Sequence, residues 1–306
     1  MKREFSFFTK PIRWIGLIIL AGTLNAIPPE KGAQRIVSID AGTDTLVLQL
    51  ADIGQILAVH ERTQDPSVSL QWEKASLVQG LKRDAAEDIY RLQPDLVFFG
   101  QWTGKASHDL LQRVGCKVER MNNATSWEEI YSNIRHVGEL VGHPERAEAM
   151  VHSMKHRLQN INERIAGSKR KRAVFYIGRG STYGSHSRQN ILLESAGLIN
   201  LSAEKGIKGM GKMTIEELLL ERPDIILFSD YQKNTPTISR QILDHPAFKR
   251  LQSRDYLILD LPSNKLNCID TYLVDCVEQL ARAAYPEAFA QERFARAETP
   301  PPEAIQ

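Results

Sequence analysis

Two glutamates in matching surroundings could act together as a pair of surface charges. Glu87 and Glu216 lie 129 residues apart, and each opens a segment (87–99 and 216–228) in which a Pro-Asp pair at the same place precedes an apolar run. Exposed carboxylates, one in each half of a protein, can orient a docking partner and raise its association rate. The alternative is that each glutamate only favours the start of a helix through the helix macrodipole.

The elements that would position these glutamates are repeated as well. In both segments a helix is predicted to end before Pro-Asp, because proline cannot continue it. The apolar run that follows is typical of a short strand covered on both faces. We therefore predict two similar α/β lobes with one exposed carboxylate each, and chance similarity between two ordinary helix–strand units is the alternative.

Strands and helices alternate along most of the chain. Strands are predicted at 35–39, 56–60, 95–99, 117–121, 173–177, 224–228 and 256–260, and helices at 43–51, 105–114, 189–196 and 270–284. Residues 61–80 read as a polar stretch and 178–187 as a loop. This alternation predicts an α/β fold of two Rossmann-like lobes with mostly parallel sheets.

One long helix is predicted between the lobes. Pro144 opens an uninterrupted helical pattern that continues to about Ala166, with apolar residues at helical spacing. The expected division is an N-terminal lobe at 34–141, a connecting helix at 142–167 and a C-terminal lobe at 172–288. An unbroken helix makes a poor hinge, so only small motions of the lobes are expected.

The two ends of the chain are predicted to lie outside the fold. In residues 1–26 basic residues flank a short apolar run that ends at Asn25-Ala26, as in a secretory signal, with an uncleaved anchor as the alternative. Thr23 stands where a lipoprotein signal has its cysteine, so a free soluble protein is expected. Residues 289–306 are charged and then proline-rich, which predicts a disordered tail.

Removal of the signal leaves little net charge. The formal net charge of +2 falls to about −1 when its four basic residues and one acidic residue are lost. A near-neutral chain gives no reason to expect a nucleic-acid or membrane partner. The cysteines, Cys116, Cys268 and Cys276, have no zinc-site spacing, and one disulfide is permitted but unassigned.

Other patterns that could carry chemistry are weak. The glycine-rich segment 178–184 lacks the spacing of a dinucleotide loop, and His152 and His156 could form only half of a metal site. The basic run 169–172 is interpreted as a solvated linker. We find no motif of a hydrolase nucleophile or a metalloprotease, and we expect a protein that is not an enzyme.

Taken together, these segments resemble the periplasmic substrate-binding proteins of ABC importers for ferric siderophores and vitamin B12. The resemblance covers about 34–285 and rests on Arg35-Ile-Val-Ser-Ile39, both Glu…Pro-Asp segments, the helix at 142–166, Ala196-Gly-Leu-Ile-Asn200 and the stretch from Gly209 to Glu217. It departs after the first strand, where Asp40-Ala41-Gly42-Thr43-Asp44 replaces the Ser-Pro and Thr-Glu that many members carry.

The resemblance implies a function as well as a fold. It implies a periplasmic monomer that takes a ferric siderophore or corrinoid between its lobes and passes it to an ABC permease with its ATPase. We expect no cofactor and no metal site of the protein's own. Glu87 and Glu216 match the glutamates that meet arginines on the permease.

Candidate ligand contacts follow the predicted strands at their carboxyl ends, the edge at which open α/β sheets bind ligands. Aromatic rings suit the faces of a large, partly apolar chelate or corrin, and an arginine suits an acidic one. The candidates are Asp40, His60, Trp102, Arg179, Tyr183 and Tyr231.

Two alternatives remain open from the residues. One is a haem carrier in which Tyr183 or Tyr231 ligates iron. The other is an exported two-lobed α/β enzyme that depends on a metal.

Overall fold

The structure is a computed structural model, and it describes residues 32–229 and 256–290. The predicted signal at 1–26, Tyr231 and most of the predicted tail lie outside these ranges. Among the helices within them, none is both long and apolar enough to cross a membrane.

The first lobe is built on a five-stranded sheet in which every pairing is parallel. Its order is β3-β2-β1-β4-β5, and its strands are β1 Ile36–Ser38, β2 Ile56–His60, β3 Gln79–Leu81, β4 Leu96–Phe99 and β5 Val118–Arg120. Its helices are α1 Ala41–Leu50, α2 Trp72–Ala75, α3 Ala86–Arg91, α4 Lys105–Arg113 and α5 Trp127–Val141, with 3₁₀ turns at Ile53–Gln55 and Glu61–Gln64.

One helix, α6 (Pro144–Ile165), leads from the first lobe to the second. Proline at its first position and Glu145 in its first turn suit a helix start. Its buried side chains recur every three or four residues, at Ala147, Val151, Met154, Leu158, Ile161 and Ile165. Its 22 residues span about 33 Å.

The second lobe has a four-stranded parallel sheet and a small antiparallel ribbon. The sheet has the order β11-β10-β6-β8, with β6 Arg172–Phe175, β8 Ile199–Asn200, β10 Ile225–Phe228 and β11 Leu257–Asp260. The ribbon pairs β7 Ser181–Tyr183 with β9 Met210–Lys212. The helices, numbered through the described residues, are α7 Arg188–Ser195, α8 Leu201–Glu204, α9 Ile215–Glu221, α10 Ser263–Leu266 and α11 Thr271–Ala284, with 3₁₀ turns at Gly178–Gly180 and Pro286–Phe289.

The internal repeat extends to the topology of the sheets. The order β2-β1-β4-β5 of the first lobe corresponds to β8-β6-β10-β11 of the second. Helices α3 and α9 begin at equivalent positions, and the residue before each Pro-Asp pair has a positive φ, 50° at Gln93 and 49° at Arg222. The prediction of two α/β lobes with mostly parallel sheets, joined by one long helix, is confirmed.

The repeat also includes hydrogen bonds. Arg35 and Arg172 precede or begin the central strands, and the backbone N–H of each donates to the aspartate of the local Pro-Asp pair at 2.9 and 2.7 Å. The guanidinium of each also donates to a carbonyl at the end of the helix that precedes the Pro-Asp pair, at 2.6 and 2.7 Å. The acceptors are Asp95 and Leu92 in the first lobe, and Asp224 and Glu221 in the second.

The lobes are held together by more than the connecting helix. One apolar cluster runs from the inner face of the first sheet through α5 and α6 to the inner face of the second sheet. Three hydrogen bonds of 2.8 Å also cross between the lobes, and they join Trp127 to Ser195, Gln49 to Asp270, and Gln71 to Tyr272. These contacts favour a cleft that is largely preformed. The exact boundaries of the lobes stay a prediction.

Two local predictions were wrong. The segment 178–187 is not simply a loop, because Ser181–Tyr183 forms the ribbon with residues almost thirty positions further on. The basic run at 169–172 is not simply solvated, since three of its side chains bind across the lobe. Arg170 donates to the carbonyl of Leu198 at 2.7 Å, Lys171 to that of Ala284 at 2.6 Å, and Arg172 pairs with Glu204 and Glu221.

Candidate ligand-binding cleft

A cleft of about 690 Å³ lies between the two lobes. The loops that follow β1, β4 and β5 line it from the first lobe, at 40–43, 100–102 and 121–123. The second lobe lines it with residues 183, 186–189, 209–210, 266–267 and 269. Because the lining loops of the first lobe all follow strands, the cleft lies at the carboxyl edge of that lobe's sheet, the edge at which ligand contacts were expected.

Asp40 lies in this cleft and also holds the start of α1. Its Oδ1 accepts hydrogen bonds from the backbone N–H groups of Gly42 and Thr43 at 3.2 and 3.4 Å. Burial raises the pKa of this carboxyl above its usual range, although these bonds and the charge of Arg188 oppose the shift. Asp40 thus lines the cleft with part of its hydrogen-bonding capacity used by the helix.

A second carboxyl, Asp44, supports the loop from behind. It is fully buried and accepts hydrogen bonds from the His60 N–H at 2.9 Å and the Thr63 hydroxyl at 2.6 Å. Burial raises the pKa of Asp44 to about 7, so ionisation of this side chain opposes folding. Asp44 is a structural group that fixes the geometry of the first lobe's edge.

Trp102 and Met210 present apolar surface to the cleft from opposite lobes. Trp102 follows β4 and is 85% exposed, and Met210 begins β9 and is 71% exposed. Large side chains with so little protein around them bury apolar surface only when something else covers them. Trp102 was predicted, whereas Met210 was missed because the ribbon that carries it was not recognised.

Tyr183, another of the candidate contacts, also lines the cleft. Its ring packs edge to face on Phe175 with the centroids 6.3 Å apart, and its carbonyl accepts a hydrogen bond from Asn200 at 2.9 Å. The ring is therefore held by the core at one side while it borders the cleft at the other.

The structure does not bring His60 and Arg179 to this cleft. The His60 ring accepts a hydrogen bond from the Arg62 N–H at 3.1 Å, which caps a 3₁₀ turn, and it borders a separate cavity of about 350 Å³ beside Lys82 and Arg83. Arg179 is exposed in the tight turn before β7, with φ 60°. Of the predicted contacts, the described cleft unites Asp40, Trp102 and Tyr183, and Tyr231 lies outside the described residues.

Arg188 is the arginine that the cleft does contain. Its guanidinium donates to the carbonyls of Leu266 and Cys268 at 3.3 and 3.1 Å, and across the cleft to Asn123 at 3.4 Å. Burial lowers its pKa, but an arginine remains charged. It ties the loop at 266–268 to the first lobe. The sequence offered one indication of this role, which is that Arg188 stands at the start of a predicted helix.

Glu87 and Glu216 are exposed second residues of α3 and α9. Because each helix runs back along the strand that follows it, both first turns lie at the carboxyl edges of the sheets. Within the described residues neither side chain forms an ion pair. The two glutamates therefore remain accessible on the side of the molecule that carries the cleft.

The other candidate groups have structural surroundings. His152 and His156 are exposed on α6, and the described residues contain no group of three or more histidine, cysteine or acidic side chains placed to hold a metal ion. The three cysteines are free thiols. Burial raises the pKa of Cys276 to about 12, and Cys268 donates to the Asn264 carbonyl at 3.0 Å.

Comparison with known proteins places this geometry in a family. Residues 36–253 match the family model described as "Periplasmic binding protein". An ABC transporter substrate-binding lipoprotein of Bacillus subtilis is 25% identical over 272 residues, which cover 86% of this chain and 83% of that protein. The vitamin B12-binding protein of Vibrio cholerae is 24% identical over 226 residues, 72% of this chain and 79% of that one.

A solved structure shows the same fold. The periplasmic haem-binding protein of Pseudomonas aeruginosa superimposes with a TM-score of 0.70 and 24% identity, over 83% of this chain and 93% of that chain. The family model spans most of the chain, and the fold, the repeat and the interlobe cleft agree with it. The chain therefore belongs to the periplasmic binding protein family, a family of solute-binding proteins.

Proposed function

We propose that this protein captures a ferric siderophore or a cobalamin-type ligand between its lobes in the periplasm and delivers it to an ABC permease. The observation that carries the proposal is a cleft of about 690 Å³, lined by both lobes, with Trp102 almost fully exposed in it. Pockets of about 300–1,000 Å³ suit bulky small molecules. The vitamin B12-binding relative supports this choice of ligand class.

Delivery would use the repeated glutamates. Glu87 and Glu216 are exposed at equivalent positions of the two lobes, so a permease with two basic sites could recognise both at once. Both carboxylates lie at the edge that bears the cleft, so a docked permease would face the ligand's exit. The ATPase that drives import would act through this permease.

A haem ligand is the second candidate, and one observation favours it. Tyr183 lies in the lining, where a phenol oxygen could reach the iron of a bound haem. The structural relative from Pseudomonas aeruginosa is a haem-binding protein. Binding of haem with no response to corrinoids or siderophores would select this candidate.

Fluorescence titration tests the proposal. Purified protein is titrated with corrinoids, ferric siderophores and haem, and quenching of tryptophan emission is followed. Because Trp102 lines the cleft, Trp102→Ala should remove most of the quenching and weaken binding about three- to tenfold, as expected for loss of one aromatic contact.

Trp72→Ala is the matched control, since Trp72 is 39% exposed on α2 and does not line the cleft. It should leave every affinity unchanged. Equal affinities of the Trp102→Ala variant and the wild-type protein for each ligand would contradict the proposed site, and no quenching by any ligand would contradict the proposed function.

A further inference from the structure

His186 is a cleft residue that the proposed function has not yet used. Among the described histidines it is the one that lines the cleft, and its side chain is exposed. Within the described residues its ring makes no hydrogen bond or ion pair. By contrast, the rings of His60, His108, His136, His143 and His156 all have polar partners. The imidazole of His186 therefore remains available to a ligand.

The backbone of His186 adopts a left-handed conformation, and hydrogen bonds of the neighbouring residues hold it there. Its φ is 59°, in the left-handed region, which is unfavourable for a residue with a Cβ. Ser185 donates from its N–H to the Ile207 carbonyl at 2.9 Å, and the Ser187 hydroxyl donates to the Gly184 carbonyl at 2.6 Å. These bonds fix the turn on both sides of His186, so the ring is presented to the cleft by a rigid support.

One imidazole supplies one bond to a metal. A protein that holds a bare ion surrounds it with about four ligands for zinc and six or more for calcium. A metal bound through His186 would therefore need most of its ligands from a chelator that enters the cleft with it. The cleft's volume has room for such a chelator.

The apolar side chains of the cleft indicate the shape of that chelator. Trp102 and Met210 stand on opposite lobes and are largely exposed. A flat macrocycle has two apolar faces, which two such side chains can cover, while its metal keeps positions above and below the ring. A siderophore that wraps all six positions of a ferric ion leaves no position for a protein nitrogen.

We infer that His186 binds the metal of the ligand axially, and that the ligand is a metal macrocycle with an exchangeable axial position. This inference rests on the proposed function and specifies its ligand class. The step is a ligand exchange in which the lone pair of the neutral imidazole replaces a water molecule on the metal. No electron is transferred, and the metal keeps its oxidation state.

The test compares the wild-type protein with His186→Asn, because asparagine tolerates the left-handed conformation and removes the imidazole. His186→Gly serves as a second variant that fits the same backbone. His152→Asn, on the exposed face of α6, is the matched control. The probes are ferric haem, aquocobalamin and ferrichrome, a hexadentate ferric siderophore, and the readouts are the absorption spectrum and the dissociation constant.

Wild-type protein and His152→Asn should shift the spectrum of haem or of aquocobalamin, and which probe responds identifies the macrocycle. His186→Asn and His186→Gly should lose the shift and bind that macrocycle at least tenfold more weakly. Retention of the macrocycle with an unchanged spectral shift in both variants would overturn the role of His186 and leave the proposed function standing. Tighter binding of ferrichrome than of either macrocycle would overturn the ligand class, and binding of no probe would overturn the proposed function and this inference together.

Discussion

At the scale of single residues, the loop that lines the cleft after β1 is held by the buried carboxyl of Asp44. Asp44 accepts hydrogen bonds from the N–H groups of Asp40 and His60 and from the Thr63 hydroxyl, and it is fully buried. Burial raises its pKa from 3.8 to about 7. The folded protein therefore holds a proton at pH values where the unfolded chain has released it.

This linkage predicts how stability changes with pH. A carboxyl with a raised pKa contributes stability that falls as pH rises from about 4 through about 7, because ionisation is then opposed by burial. Asp270, also buried with a pKa raised to about 7, acts in the same direction. The free energy of unfolding should therefore decrease between pH 5 and pH 8, by an amount on the order of a few kcal/mol.

Urea denaturation across this pH range measures the effect. Asp44→Asn should flatten the decrease, since the amide cannot ionise. Asp52→Asn is the control, because Asp52 is exposed and its pKa is lowered by the hydrogen bond from Arg146, so it titrates below this range. Identical slopes for the wild-type protein and Asp44→Asn would contradict the assignment.

At the scale of elements, two helices meet closely where the first lobe passes into α6. A Cβ added at Gly138 in α5 would lie 2.4 Å from the Cβ of Ala147 in α6. The His143 N–H also donates to the Gly138 carbonyl at 2.7 Å, which closes the turn between the helices. The absence of a side chain at Gly138 is what lets the helices approach.

Gly138→Ala should therefore destabilise the protein by about 1–3 kcal/mol, because overpacking outweighs the gain in helix propensity. Gly54→Ala is the matched control, since an added Cβ there meets nothing within 4 Å. Denaturant titrations compare the two variants. Equal free energies of unfolding for Gly138→Ala and Gly54→Ala would contradict the close packing of α5 on α6.

The same scale shows what sequence reasoning could reach. The Glu…Pro-Asp segments and α6 were predictable because proline, acidic first turns and apolar periodicity act within one element. Met210, His186 and Arg188 were missed because each is positioned by a distant partner. Met210 depends on the β7–β9 pairing, and Arg188 depends on carbonyls almost eighty residues away. Arg179 was chosen as a contact because it stands in a loop after a predicted strand, and the folding of that loop was not visible in the sequence.

At the scale of the whole molecule, the repeat places one exposed glutamate at the same position on each lobe. The shared core and the cross-lobe hydrogen bonds hold the lobes at a fixed spacing. Glu87 and Glu216 would then present their charges at a fixed separation to a permease. A molecule of this kind must hold its ligand and also transfer it, and we propose that the two tasks use different residues.

The most direct test of the carrier measures ligand affinity and permease-dependent uptake in the same variant. We predict that the double substitution Glu87→Lys and Glu216→Lys leaves the dissociation constant unchanged and abolishes uptake by the reconstituted permease and ATPase. The control is the double substitution Glu163→Lys and Glu194→Lys at exposed sites on α6 and α7, which should leave both quantities unchanged. Undiminished uptake by the Glu87 and Glu216 variant, or a loss of its ligand affinity, would contradict the account.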